Sequence, residues 1–82
     1  MKIHKAIALR ISNLINENKI SQYEVSKRST VEESTIARII TEESKEIKIQ
    51  TLFKMADAFG LSIVQFFDDK LFDKTNIDLY IK

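Results

Sequence analysis

The chain has 82 residues, 44% hydrophobic and 30% charged, with a formal net charge of +1. That length holds one domain, and that apolar content builds a core rather than a disordered tail. The absence of Cys and the single His exclude disulfide staples, thiol catalysis and a structural zinc site, and no apolar run reaches the ~20 residues of a membrane span.

Five helical segments follow in chain order. The first, about residues 2–18, carries Ile3, Ile7, Ile11, Leu14 and Ile15 as one stripe. After a polar break, Ser21-Gln22-Tyr23-Glu24 reads as a capping box, with the Ser21 hydroxyl accepting from the Glu24 amide and the Glu24 carboxylate reaching back. It opens a short second helix to about residue 28 with Val25 inward. Ser29-Thr30-Val31 makes a tight turn. The third helix, about residues 33–41, points Ile36, Ile39 and Ile40 inward. Residues 42–48 form a charged loop.

The fourth helix, about residues 49–59, turns Leu52, Phe53, Met55, Ala56 and Phe59 to the core, and Gly60 stands where a left-handed residue ends it. Ser62-x-x-Gln65 is a second capping box, opening a fifth helix with Ile63, Phe66 and Phe67. In residues 75–82 the pattern changes: Ile77, Leu79 and Ile81 alternate with Asn76, Asp78 and Tyr80. That period of two fits a strand paired with the same strand of a second subunit, or an end frayed against helix five. With one Gly and no Pro, long linkers are not expected, and no signal-peptide pattern opens the chain, so the expected location is cytoplasmic.

Charge is unevenly spread. Residues 1–38 hold seven bases and four acids, and residues 39–82 hold six bases and eight acids. A basic half beside an acidic half suits a domain with one face toward a polyanion, and equally a mixed solvated surface.

Two short helices across a three-residue turn suggest a helix-turn-helix. From Ser21-Gln22-Tyr23-Glu24-Val25 through Ser34-Thr35-Ile36-Ala37-Arg38-Ile39 the chain resembles the phage-repressor and Cro-like (XRE-type) transcriptional regulators. Ile49-Gln50-Thr51-Leu52-Phe53-Lys54-Met55-Ala56-Asp57-Ala58-Phe59-Gly60-Leu61-Ser62 looks like that family's fourth helix and following turn, so the likeness covers about residues 7–67. The resemblance implies an all-α, five-helix lambda-repressor-like DNA-binding domain over residues 1–72, with residues 73–82 as a C-terminal tail and candidate dimerisation strand. Thr30 stands where the family usually has Gly. A left-handed Thr costs about 1–2 kcal/mol, which predicts a remodelled turn. Where the family often buries an Arg–Glu pair between helices one and three, this chain has Ile15 and Ile40, a replacement that is commonly neutral or stabilising.

In such a fold the start of helix two faces phosphates and helix three enters the major groove. Gln22 is then placed to donate to a phosphate. Tyr23 either offers its hydroxyl there or packs beside helix three, and Lys27 adds charge along the edge. Glu33, Ser34 and Arg38 share one helical face, with Thr35 beside them. Arg38 can fork onto guanine or grip a phosphate, and Thr35 can offer its methyl to thymine. Glu32 and Glu33 are awkward before a polyanion. They suit the helix dipole, the cytosine amino group, or a surface not meant for DNA. Lys45 and Lys48 precede helix four, where the family grips backbone.

The resemblance implies a repressor bound as a homodimer to an inverted repeat in double-stranded DNA, with no cofactor or metal. Phe66, Phe67, Leu71, Phe72, Ile77, Leu79 and Ile81 are the expected dimer contacts. The rival reading is a protein-interaction module or antitoxin whose third helix faces a protein partner. No catalytic constellation is legible: His4 reads as a solvated helix residue and Asp68-Asp69 as a polar helix end.

Overall fold

A computed structural model describes residues 1–79. Its elements are α1 (Ile3–Asn18), α2 (Gln22–Ser29), α3 (Glu33–Ile40), α4 (Ile49–Ala58), α5 (Ile63–Phe67) and a single 3-10 turn, Lys70–Phe72. The fold is all-α, with no strand among the described residues.

Local chemistry sets each boundary. Helix α1 stops where Lys19 turns left-handed (φ 53°) and its amide meets the carbonyls of Asn16 and Ile15. Ser21 Oγ accepts from the Glu24 amide at 3.0 Å and starts α2. The reciprocal half of that box is missing, because the Glu24 carboxylate takes Arg28 Nε at 3.0 Å instead. The Ser62–Gln65 box forms in both directions, at 3.1 and 2.9 Å. Gly60 adopts φ +73°, as its place after α4 requires.

Ile7, Ile11, Leu14, Val25, Val31, Ile36, Ile39, Leu52, Met55 and Phe66 close into one core, with Ile15 and Ile40 packed against it. Each large apolar side chain fully buried there contributes about 1.5–3 kcal/mol. Two expected core residues lie outside it: Ile3 is 51% and Phe53 is 52% exposed. Ile3 begins α1, beyond the end of the core. On α4 the inward stripe runs through Leu52, Met55, Ala56 and Phe59, and Phe53 falls beside it with exposed Ile49 one turn back.

Two polar residues of α1 are buried instead. His4, expected in solvent, is covered, and its Nε2 lies 3.8 Å from Glu42 Oε1 at the end of α3. Arg10 crosses to the end of α5. There Nε donates to the Phe66 carbonyl at 2.7 Å, Nη2 to the Gln65 carbonyl at 3.1 Å, and Nη1 pairs with Asp69 Oδ2 at 3.2 Å. Asp69 Oδ1 also accepts from the Leu71 amide at 2.9 Å, so one carboxylate joins the arginine to the 3-10 turn.

Beyond that turn the chain folds back onto the start of α1. The Met1 ammonium donates to the Asn76 carbonyl at 2.6 Å and lies 3.3 Å from Asp78 Oδ2, while the Asp78 amide donates to the Met1 carbonyl at 2.8 Å. Residues 73–76 carry a bend and a turn, and residues 77–79 follow without regular structure in the single chain. Tyr80 and Ile81, the rest of that expected strand, lie outside the described residues.

Candidate nucleic-acid interface

The joint between α2 and α3 keeps its left-handed residue. Thr30 adopts φ 61°, ψ 12°, so the turn is not remodelled and Thr bears the steric cost of about 1–2 kcal/mol. Two serines hold it there. Ser29 Oγ accepts from the Val31 amide at 3.1 Å, and Ser26 Oγ donates to the Val31 carbonyl at 2.6 Å. Val31 is itself buried, which anchors the exit of the turn in the core.

That joint sets how α3 is presented. Ile36 and Ile39 are buried, and Glu33, Ser34 and Arg38 are exposed on the opposite side, with Thr35 half-buried between. Glu32 is the N-cap, but its side chain makes no capping bond; only its carbonyl accepts, from the amides of Thr35 and Ile36. Among the described residues neither Glu32 nor Glu33 is in an ion pair. Helix α2 presents Gln22 in its first turn, half-buried. Tyr23 is 59% exposed, and Lys27 Nζ lies 5.6 Å from its ring centroid. An ammonium over the ring face is attracted by its quadrupole, so Tyr23 and Lys27 are paired on the exposed side of α2.

A groove of about 420 Å³ runs between α3 and α4. Thr35 and Arg38 line one wall, Lys48, Thr51 and Lys54 the other, and Glu32 and Glu46 lie in it as well. Lys48 thus shares a groove with Arg38. Lys45 does not; it lines a separate cleft with Lys2, His4 and Asp78. Thr51 and Lys54 were missed in the sequence, although Lys48, Thr51 and Lys54 recur every three residues and so follow one side of a helix.

A second groove is apolar. Ile3, Phe67, Phe72, Ile77 and Leu79 line a groove of about 260 Å³ with Lys74 as the one charged residue. Val64, 76% exposed, continues this surface along α5. Leu71 is half-buried nearby. Phe66 cannot serve as an expected surface contact, because it is fully buried, edge-on to Phe67 with centroids 5.1 Å apart. No described helix is long and apolar enough to cross a membrane.

A family model described as a Cro/C1-type HTH DNA-binding domain matches residues 10–70. Neither a curated protein nor a solved structure matches the chain at a significant level.

Proposed function

The chain belongs to the Cro/C1-type helix-turn-helix DNA-binding family, and on that premise we propose that it is a sequence-specific transcriptional repressor. It binds an inverted repeat in double-stranded DNA as a two-fold dimer, with half-sites about one helical turn, roughly 34–36 Å, apart. The observation that carries this reading is the polar outer face of α3, with Ser34 and Arg38 exposed opposite buried Ile36 and Ile39. Arg38, Ser34 and Thr35 face base edges. Gln22, Tyr23, Lys27, Lys45 and Lys48 serve the phosphates. Glu33 meets either a cytosine amino group or only the helix dipole.

One such domain covers too little DNA for tight binding alone, which is why the apolar surface of Val64, Phe67, Phe72 and Leu79 is assigned to a second copy. Removing residues 74–82 is expected to shift the mass seen by light scattering from dimer toward monomer; an unchanged mass at matched concentration removes the tail from the contact.

The test of the reading is fluorescence anisotropy with a duplex from upstream of the protein's own gene and a scrambled control, across a salt series. Preferential binding, with log K falling linearly against log salt, supports a DNA reader. Equal and weak binding to both duplexes at low salt favours a second reading, a protein-interaction module or antitoxin. The unpaired Glu32 and Glu33 on the exposed end of α3 are the observation on its side.

A further inference from the structure

We infer that the groove between α3 and α4 seats the sugar–phosphate backbone of one DNA strand, and that Lys54 and Thr51 of α4 are backbone contacts. The inference rests on the DNA reading above and deepens it, because these residues lie beyond the helix-turn-helix and its following loop.

Three observations carry it. Lys48, Thr51 and Lys54 line the same groove as Arg38 and Thr35, so α4 adds a wall of donors to the side of the recognition helix. From Lys48 to Lys54 the helical rise is about 9 Å at 1.5 Å per residue. That reach can meet more than one phosphate of a strand, whose charges recur at roughly 3.4 Å of duplex axis. A line of two ammoniums with a hydroxyl between them fits a strand running along α4 better than a single ion.

The third observation is what the cations leave unpaired. Glu32 and Glu46 line the same groove, yet among the described residues Arg38, Lys48 and Lys54 form no ion pair with them or with any other carboxylate. The ammoniums are therefore open to another anion. The two carboxylates have a consequence of their own. They repel phosphate wherever the strand leaves the line of donors, so the groove fixes register instead of acting as a general trap for polyanions.

The experiment compares the full-length protein with Lys54→Gln and Thr51→Ala, using the upstream and scrambled duplexes across 50–200 mM salt. Lys5→Gln, exposed on α1 and outside the groove, is the charge-matched control. Lys54→Gln is expected to reduce the slope of log K against log salt by about 0.9, so that wild type loses about 3.5-fold more affinity than the variant over that range. Thr51→Ala should weaken both duplexes alike and leave the slope in place. Preference for the upstream duplex should survive both changes, because backbone contacts position without specifying. A Lys54→Gln slope equal to that of wild type and of Lys5→Gln overturns the inference while leaving the DNA reading intact. Wild type with no salt-dependent binding to either duplex sinks the DNA reading, and this inference falls with it.

Discussion

The helix-turn-helix and the C-terminal end differ in how far polar contacts between distant residues tie them down. Helices α2 and α3 are held by apolar burial, through Val25, Val31, Ile36 and Ile39, and they turn polar side chains outward. The end formed by α5, the 3-10 turn and the tail adds polar ties to its apolar ones, which are Phe66 in the core with Phe67 and Phe72 packed against it. Arg10 reaches two carbonyls and a carboxylate, and Met1 is tied to Asn76 and Asp78. Its apolar residues, Ile3, Val64 and Leu79, face out. One region therefore offers a surface suited to a hydrated polyanion and the other a surface suited to protein.

Phe66 belongs to both regions, since its ring fills the core while its carbonyl accepts from Arg10. Phe66→Ala is expected to have the largest effect, about 3–5 kcal/mol of lost stability in urea or thermal unfolding. Arg10→Met tests the polar half alone. It leaves the carbonyls of Gln65 and Phe66 and the Asp69 carboxylate without their cation, at a cost of about 2–4 kcal/mol. Hydrogen exchange should then show lost protection at Phe72 and Asp73, with the α2 and α3 amides retained. A uniform loss across all helices would break the comparison.

Arg38→Ala tests the other surface. Affinity for the preferred duplex should fall by about 1–3 kcal/mol with no change in unfolding midpoint. The smallest expected effect is at the turn. Thr30→Gly relieves a left-handed Thr, and after the extra backbone entropy of Gly the net gain is roughly 0.5–1 kcal/mol, a few degrees in Tm. A loss of stability instead would mean that Ser26 and Ser29 hold the turn in a shape Thr already fits.

Much of the helical frame was legible because its signals are local. Ser21, Ser62 and Gly60 mark ends by their own chemistry, and Ile36 and Ile39 mark a face by spacing alone. Errors arose where a residue's fate depends on a distant partner. His4 and Arg10 share the α1 face with Ile7, Ile11 and Leu14, so the period itself placed both inward. Their polarity argued against it, and only Glu42 and the end of α5, far along the chain, make that burial tolerable. Glu24 missed its capping role because Arg28, four residues on, competes for the same carboxylate. The groove lysine Lys54 was passed over because nothing within α4 says that α3 lies beside it.

The grip of Arg10 on α5 has a consequence for divergence. Two of its three acceptors are main-chain carbonyls, at Gln65 and Phe66, which every amino acid supplies. Attachment of α5 therefore depends little on what its outer positions encode. Val64, 76% exposed, can be rewritten with Arg10, Asp69 and the buried Phe66 held constant. A change confined to that position leaves the exposed face of α3 untouched.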